Sequence, residues 1–349
     1  MPRIEIRPPL RSINTVASSG SPALYINYEA YGNKTNPAIL FVEGLGATLA
    51  SWMVESLIKP LANAGYYCII YDNRDAGRSS YITYKGEHSA VSMYSTLMYN
   101  MACPFESMKI EYEPPYVLKD MAEDGILLLN ALQIDKAHLI GRSMGGMIAQ
   151  VMTIFWQERF LSFCSFASFT GNFRRQLAST YTLGYLYVYL PSVGPKIKDI
   201  ENEKQVEEYI KHSTTGMMYT QYESGATQNN GRTPLQETRR RFEHNKEYLH
   251  LSGSGKMRQL AAIAFDTIGQ RDELLKDVMI PSIVIHGKND ILVPFIGGVD
   301  TANSLGNCRK TLWIDNMGHE CPDREVKSIF NCIVENLQYA DQQVNRSKL

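Results

Sequence analysis

Short apolar runs recur along the chain and are separated by segments with a helical pattern. Each run has four or five residues, mostly β-branched or large and apolar, and turn-forming residues bound it. Continuous apolar runs of this kind are typical of strands that are buried on both faces of a parallel sheet. The predicted strands are residues 38–42, 67–71, 137–140, 282–286 and 311–314.

Helical periodicity fills the intervals between these runs. Leu118, Met121 and Ile126 fall on one side of a helix that we predict over residues 117–132. Residues 51–64 show a similar pattern. Strands that alternate with helices predict an α/β fold with a mostly parallel, doubly wound sheet.

This rhythm breaks in two places. Residues 172–255 are richer in charge and in helix-like periodicity, and residues 81–115 form a second long connection. Ordinary connections in such folds have about two to six residues, so we expect these insertions to be functional. The predicted organisation is one α/β domain that carries a helical cap: 1–171 is the N-terminal part of the core, 172–256 the cap, 257–346 the C-terminal part of the core and 347–349 a targeting tripeptide.

Composition and charge narrow the class of protein. Hydrophobic residues make up 44% of the 349 residues and charged residues 20%, as in a globular protein with a large core. Lys and Arg number 35 against 36 Asp and Glu, so no basic excess favours nucleic acid as a partner. No apolar run approaches the ~18 residues of a membrane-spanning helix, and the N-terminus lacks the apolar core of a secretory signal.

The sequence shows no pattern of metal or redox chemistry. The six cysteines are scattered without a CxxC pair, and the seven histidines are equally dispersed. Zinc sites need clustered Cys or His ligands, and a chain without a secretory signal keeps its thiols reduced. We therefore predict no zinc site.

The last three residues resemble an address. Ser347, Lys348 and Leu349 form a tripeptide that an import receptor reads as a peroxisomal signal. The preceding residues, 340–346, are polar and charged, which predicts a flexible tail that presents the signal. We expect localisation in the peroxisomal matrix, with the import receptor as a partner. In an organism without peroxisomes the tripeptide is an ordinary solvated tail.

A Gly-x-Ser-x-Gly motif follows the third predicted strand. Gly141, Ser143 and Gly145 stand between that strand and a helix-like run that begins at Met147. A tight strand–turn–helix of this kind projects the serine hydroxyl from the sheet edge, which makes Ser143 a candidate nucleophile. The helix N-terminus adds free N–H groups and a positive dipole. The alternative is a serine that only caps the helix between packing glycines.

A nucleophilic serine needs a base, and the base needs an orienting acid. For this motif the acid and the histidine follow downstream in that order. Asp290 and His319 each come after a predicted strand, on loops at the carboxyl edge of the sheet. We predict Ser143, Asp290 and His319 as catalytic. His286 and His138 fall within predicted strands, where we expect structural roles.

Hydrolysis also requires N–H donors where negative charge develops on the substrate. The backbone N–H of Met144 comes directly after the serine, and the loop after the first predicted strand should supply a second donor. We choose the N–H of Leu45 for the oxyanion hole. Gly44 and Gly46 flank it and allow the backbone to approach the substrate, so we predict both as substrate-binding.

Five sequence blocks carry a resemblance to a known family. They are FVEGLGA, YDNRDAGRSS, GRSMGG, VIHGKNDILVP and NMGHECP, in the family's order. The chain resembles serine hydrolases of the α/β-hydrolase fold, with anthracycline methylesterases and related small-ester hydrolases as the nearest group. The resemblance implies no metal and no cofactor. It also implies that Arg74, Asp75 and Arg78 tie the active-site loops together.

Two residues depart from the family's pattern. Glu43 stands where many relatives have a histidine, and Arg142 occupies an elbow position that more often holds His, Asn or a small residue. A carboxylate aimed at the oxyanion would repel it, so Glu43 should point away or be paired. We predict that Arg142 forms an ion pair with Glu43 or with another carboxylate behind the elbow.

The two inserted segments provide the sequence-based expectations about the substrate. By resemblance, the cap covers the pocket, and we predict that Tyr185 and Met217 contact the substrate. Tyr- and Met-rich stretches there either pack cap on core or form an adaptable apolar pocket. We expect cleavage of an ester or thioester, of a lipid-like or acyl-CoA substrate if the peroxisomal address is used. A carbon–carbon bond hydrolase and a non-catalytic ligand-binding member are the alternatives.

Overall fold

A single mixed sheet forms the centre of the molecule. The computed structural model describes residues 2–6, 23–82, 114–171, 195, 197–221, 223, 226–266 and 271–347. Within these residues the strands are β1 (Arg3–Ile6), β2 (Leu24–Tyr31), β3 (Ala38–Val42), β4 (Tyr67–Tyr71), β5 (Ala137–Arg142), β6 (Phe160–Phe166), β7 (Ser282–Gly287) and β8 (Cys308–Ile314). Their order across the sheet is β1-β2-β4-β3-β5-β6-β7-β8.

Parallel pairing dominates this sheet. β2 pairs antiparallel with β1 and with β4, whereas all other neighbouring strands are parallel. The strand order reverses at β3, which lies between β4 and β5. At such a switch point the loops leave the carboxyl edge in opposite directions and open a crevice for ligands. The predicted mostly parallel, doubly wound α/β sheet is thus confirmed.

Five of the strands were predicted and three were not. The predicted runs at 38–42 and 67–71 coincide with β3 and β4, and β5, β7 and β8 extend beyond their predicted bounds. Predictions did not include β1, β2 and β6. Serines at 162 and 165 interrupt the apolar pattern of β6, although both are buried in the sheet. Ser162 contacts His138 at 2.8 Å, so a polar residue that is accommodated inside the fold interrupted the apolar pattern by which this strand could have been predicted.

Helices cover both faces of the sheet. The described α-helices are α1 (Lys59–Asn63), α2 (Leu118–Ala131), α3 (Met144–Phe155), α4 (Glu203–Thr220), α5 (Pro234–Asn245), α6 (Leu249–Ala264), α7 (Arg271–Leu274), α8 (Phe295–Ser304) and α9 (Asp323–Ser347), with a π-helical segment at Val54–Ile58 and 3-10 turns at Leu49–Ser51, Gln157–Arg159, Lys246–Tyr248 and Leu275–Asp277. Leu40 packs in a core cluster with α2 and α3, whereas Ile39 and Phe41 pack on the other face with α1 and α9. Neighbouring residues of a strand point to opposite faces, so the continuous apolar run of β3 supplies both clusters.

Two predictions about local structure need correction. The predicted helix at 51–64 is divided between 3-10, π-helical and short α-helical segments. The predicted flexible tail at 340–346 is wrong, because α9 continues through it to Ser347. Leu337 and Ala340 are buried, so the apolar face of this helix reaches further than the polar tail composition indicated.

Among the described residues, α4, α5, α6 and the short α7 lie between β6 and β7 in the chain, and α4 and α5 fall within the predicted insertion. α4 packs against α5. The predicted boundary between residues 256 and 257 falls inside α6. Much of both predicted insertions, including Tyr185, lies outside the described residues.

Candidate active site

Ser143 stands at a strained turn between β5 and α3. Its φ of 56° and ψ of −126° are unusual for a residue with a side chain. Its N–H donates to the carbonyl of Phe166 at 2.9 Å, which ties the turn to β6. Strain of this kind persists only where the surroundings enforce it. The strand–turn–helix expected from the sequence is therefore present, with the serine at its apex.

Glycines on either side of Ser143 permit this turn. A Cβ placed on Gly145 would lie 2.0 Å from the carbonyl oxygen of Val42 on β3. A Cβ on Gly141 would lie 2.3 Å from the carbonyl oxygen of Gly145. Both distances are far below van der Waals contact, so α3 can approach the sheet this closely only with glycine at these positions.

Asp290 and His319 form a buried hydrogen-bonded pair. The Nδ1 atom of His319 lies 2.8 Å from Asp290 Oδ2, and each residue is 5% exposed. The N–H groups of Leu292 and Val293 donate to Asp290 Oδ1 at 2.9 and 2.8 Å. These donors fix the carboxylate, and the carboxylate fixes the orientation of the imidazole. The predicted acid and histidine are thus together, on loops after β7 and β8.

The loop of His319 is also held from the inserted helices. The N–H of His319 donates to the carbonyl of Thr220, the last residue of α4, at 2.8 Å. A guanidinium nitrogen of Arg142 donates to the carbonyl of His319 at 3.3 Å. Ser143 and His319 line the same cavity, although the described residues show no direct hydrogen bond between them. Catalytic hydrogen bonds are often long in a free enzyme and tighten when substrate binds.

The rival histidines have structural contacts, as predicted. His286 is fully buried, and its Nε2 lies 2.9 Å from the carbonyl oxygen of Val293. Burial lowers its pKa, which favours the neutral ring. His138 Nδ1 lies 2.8 Å from Ser162 Oγ, and its Nε2 lies 3.2 Å from Asp341. Neither ring lines the cavity.

The loop after β3 places backbone N–H groups beside the serine. A Cβ on Gly44 would lie 3.0 Å from Ser143 Cβ, so the two backbones are close. The N–H of Gly46 already donates to Gln259 Oε1 at 2.7 Å. The N–H groups of Leu45 and Met144 donate to no other group within the described chain. They are therefore available to a ligand, as an oxyanion hole requires.

Glu43 and Arg142 form the predicted ion pair. Arg142 Nη1 lies 3.3 Å from Glu43 Oε1, and Nη2 lies 3.2 Å from Glu320 Oε2. The other carboxylate oxygen of Glu43 accepts the N–H of Gly44 at 2.8 Å. Both predictions about these residues are confirmed: Glu43 is paired, and the arginine lies between two carboxylates behind the elbow.

The pKa values of Glu43 and Glu320 shift in opposite directions. Burial raises the pKa of Glu43 above its ordinary value, and the attraction of Arg142 only partly offsets this. Burial also opposes the ionisation of Glu320, but Arg142 and Arg241 outweigh it and lower its pKa to about 2. Glu320 therefore carries a firm negative charge next to His319, whereas ionisation of Glu43 is disfavoured.

The loop after β4 is tied down by ion pairs. Arg74 Nε lies 2.6 Å from Asp124 of α2, and Asp75 Oδ1 lies 2.7 Å from Arg258 of α6. The backbone N–H of Arg78 donates to Asp72 at 2.9 Å. These contacts match the structural role that the resemblance implied for Arg74, Asp75 and Arg78.

The residues at the carboxyl edge open into a cavity of about 370 Å³. Predicted residues on its wall are Ser143, His319, Gly44, Leu45, Gly46 and Met217. Asp290 lies behind His319, where an orienting acid belongs. Tyr185, the other predicted substrate contact, is outside the described residues.

Sequence comparison identifies the family. A family model for the alpha/beta hydrolase fold matches residues 37–321. The chain belongs to the α/β-hydrolase family. The chain is 29% identical to Rhodomycin D methylesterase DauP of Streptomyces sp. (strain C5), over 38% of this chain and 36% of that protein, so the match spans about a third of that relative.

Matches that cover most of the chain have lower sequence identity. The chain is 24% identical to the 2-hydroxy-6-oxononadienedioate/2-hydroxy-6-oxononatrienedioate hydrolase of Klebsiella pneumoniae, over 93% of this chain and 94% of that protein. The structure of a thermophilic esterase from Thermogutta terrifontis superposes with a TM-score of 0.58 at 17% identity, over 97% of this chain and 99% of that one. Similarity at that level supports the fold alone.

Several residues that line the cavity were not predicted. They are His212, Arg241, Phe242, Tyr248 and Lys256, together with Glu320 next to the histidine. All but Glu320 lie on or beside the inserted helices. Their helical periodicity was visible in the sequence, but which helix face meets the cavity depends on how the helices dock. Position next to His319 is a signal by which Glu320 could have been found.

The described part of the chain contains neither a cluster of metal ligands nor a membrane-spanning helix. Within it, no group of three or more His, Cys, Asp and Glu side chains is arranged to hold a metal ion. No helix among the described residues is long and apolar enough to cross a membrane.

Proposed function

We propose that this hydrolase cleaves a carboxylic ester or thioester, with Ser143 as nucleophile, His319 as base and Asp290 as the acid that orients the base. The observation that carries this proposal is the strained Ser143 facing the same cavity as a histidine bound to a buried carboxylate at 2.8 Å. Strain and a buried acid–histidine pair together have a direct use in nucleophilic catalysis and little use in a scaffold.

The reaction proceeds in two halves. His319 removes the proton of Ser143, and Oγ forms a bond to the carbonyl carbon. The resulting oxyanion accepts hydrogen bonds from the N–H groups of Leu45 and Met144. As the carbon–oxygen or carbon–sulfur bond breaks, His319 gives its proton to the alcohol or thiol. Water then attacks the acyl-enzyme with His319 again as base, which releases the acid and restores the serine.

A fluorophosphonate probe tests the nucleophile directly. We expect the wild type to be labelled and Ser143→Ala to be unlabelled. Ser213→Ala is the matched control, because Ser213 lines the same cavity but lies on α4. Absence of labelling in the folded wild type would contradict nucleophilic catalysis and favour a ligand-binding member of the family.

The side chains that line the cavity indicate which kind of acyl group it could accept. Met217, Phe242 and Leu260 supply apolar surface beside the polar groups of the elbow. We propose a lipid-like acyl ester or an acyl-CoA thioester as the substrate class, with the C-terminal tripeptide as additional motivation. The substrate class is tested by measuring the hydrolysis of esters and thioesters of increasing acyl length by the wild type, with Ser143→Ala as the inactive control. Failure of short esters, long esters and acyl-CoA alike would contradict the ester assignment.

A second candidate is hydrolysis of a carbon–carbon bond. Its support is the match over most of both chains to the dienedioate hydrolase of Klebsiella pneumoniae. The discriminating substrate is a 2-hydroxy-6-oxo-6-phenylhexa-2,4-dienoate, whose loss of absorbance reports cleavage. Turnover of this compound at a higher kcat/KM than any ester would favour the second candidate over the first.

We also propose a peroxisomal location, read from Ser347, Lys348 and Leu349. α9 runs to Ser347, and the last two residues lie outside the described part. A fluorescent protein fused to the N-terminus of the full chain should colocalise with a peroxisomal marker and become diffuse when the tripeptide is removed. Diffuse signal from the complete fusion would contradict the proposal.

A further inference from the structure

Lys256 of α6 covers the loop that carries the proposed oxyanion donor. A Cβ placed on Gly46 would lie 2.3 Å from Lys256 Cγ, 2.6 Å from Cδ and 2.4 Å from Cε. The aliphatic chain therefore lies flat against Gly46, and the side chain lines the cavity. Since Gly46 follows Leu45, the ammonium group is held next to the place where ester cleavage is proposed.

The other charged side chains of the cavity are already paired. Asp75 contacts Arg258 at 2.7 Å, and Arg142 lies between two glutamates. Arg241 Nε lies 2.9 Å from Glu237 Oε1. Lys256, in contrast, makes no ion pair and no hydrogen bond with any residue that the structure describes.

An ammonium group in a partly enclosed cavity is costly to leave unpaired. A negatively charged ligand group would offset that cost. The geometry limits how far this negative charge can lie from the reacting carbonyl of the ligand. Ordinary bond lengths place Lys256 Nζ no more than roughly 11 Å from the N–H of Leu45. A matching charge must therefore lie only a few bonds from the scissile carbonyl.

We propose that Lys256 binds a carboxylate of the substrate, so that the preferred ester carries a carboxylate a few bonds from its carbonyl. This inference rests on the proposed ester hydrolysis and names the substrate class more closely. The competing role for Lys256 is direct attraction of the oxyanion. That role would affect charged and neutral esters equally, whereas a carboxylate-binding role affects only the charged ones.

Isosteric ester pairs separate the two roles. Monomethyl succinate is compared with methyl 4-methylpentanoate, which replaces the carboxylate on the acyl side by an isopropyl group. 3-Acetoxypropanoate and 3-methylbutyl acetate form the corresponding pair on the alcohol side. Values of kcat/KM are measured for the wild type, Lys256→Met and Lys256→Arg. Lys246→Met is the matched control, since Lys246 pairs with Glu243 at 2.9 Å and does not line the cavity.

We expect the wild type to prefer the charged member of at least one pair. Lys256→Met should lower kcat/KM for that member by about tenfold and change the neutral member by less than about twofold. Lys256→Arg should keep most of the preference, and Lys246→Met all of it. In the wild type, added salt should reduce the ratio of charged to neutral kcat/KM, which gives a readout that needs no folded variant.

Two results would overturn the proposal, and they differ from failure of the proposed function. Equal losses on charged and neutral esters would assign Lys256 to the oxyanion. A wild type that hydrolyses neutral esters without preferring charged ones, at any salt concentration, would leave ester hydrolysis standing and remove the carboxylate. If no ester is cleaved and Ser143 is not labelled, the proposed function fails first and this inference fails with it.

Discussion

The two walls of the cavity are built in different ways. On one wall, the strand-end wall, Ser143 and His319 project from loops at the carboxyl edge of the sheet, backed by Asp290. On the other, the helix wall, Met217 and Lys256 project from α4 and α6. Backbone hydrogen bonds fix the strand-end wall, whereas side-chain packing supplies the helix wall. The groups that we propose for bond cleavage therefore lie on a different wall from the groups that shape the cavity.

His319 is where the two walls meet. Its N–H bonds to the end of α4, and its carbonyl accepts from Arg142 behind the elbow. Arg241 of α5 lies 3.6 Å from Glu320, which itself contacts Arg142. A change in the docking of the inserted helices therefore reaches the histidine through a hydrogen bond and a series of charges.

The largest expected effect concerns the strand-end wall. Replacement of Asp290 by Asn keeps the shape but removes the charge that stabilises the imidazolium and selects its tautomer. If the proposed triad operates, we expect kcat to fall by roughly a thousandfold or more, as it does when serine hydrolases lose this acid. Ester hydrolysis by the purified variant measures it. A loss below tenfold in a folded protein would separate Asp290 from the reaction.

Arg142→Met tests the charges that join the walls. The substitution leaves Glu43 and Glu320 without their shared partner, and breaking a buried pair in this way costs about 3 kcal/mol of unfolding free energy. Urea denaturation measures the change. The control is Arg239→Met, whose partner Glu207 is exposed on the surface and whose loss should not be measurable. Equal urea midpoints for Arg142→Met and Arg239→Met would contradict a larger contribution of the buried ion pair to stability.

The ionisation of Glu320 should make the free energy of unfolding depend on pH in the acid range. Its pKa is lowered from an ordinary 4.5 to about 2, because Arg142 and Arg241 outweigh the opposing effect of burial. A lowered pKa contributes stability that is complete above about pH 4.5 and is lost as pH falls towards 2. We expect Glu320→Gln to lower the free energy of unfolding by an amount on the order of 2 kcal/mol at pH 7. The difference from the wild type should become smaller as the pH falls through the pKa range of Glu320. Unfolding free energies between pH 7 and 3 measure it.

Glu43→Gln is the matched control for this dependence. Burial raises the pKa of Glu43, so its ionisation costs stability as pH rises through that value. The variant should therefore show no shrinking loss on acidification. The same acid-side profile for both variants would indicate general acid unfolding rather than the charge of Glu320.

The smallest expected effect concerns the helix wall. Met217→Ala removes apolar surface without touching Ser143 or its partners. We expect the ratio of kcat/KM for long to short acyl esters to fall by about threefold, with little change for the shortest ester. A loss of the same size for every ester would place Met217 among the groups that support bond cleavage.

The strand-end wall was largely predictable from sequence, and the helix wall was not. Ser143, Asp290 and His319 stand next to strands whose apolar runs are visible. The elbow requires glycines because a Cβ at Gly141 or Gly145 would lie less than 2.5 Å from a carbonyl oxygen. β6 was missed because buried serines break its pattern. Lys256 and the bond from His319 to Thr220 depend on the docking of helices, which no local pattern specifies.

The continuity of α6 has a consequence for protein engineering. This helix presents Lys256 to the cavity, Gln259 to the N–H of Gly46 and Arg258 to Asp75 within four consecutive residues. A chimera that exchanges the inserted segment at residue 256 would cut the helix between these anchors. Junctions placed ahead of Leu249 would keep all three of these side chains with the core, and the loop after β3 would lose only its contacts from α5, such as the hydrogen bond from Asn245 to Thr48.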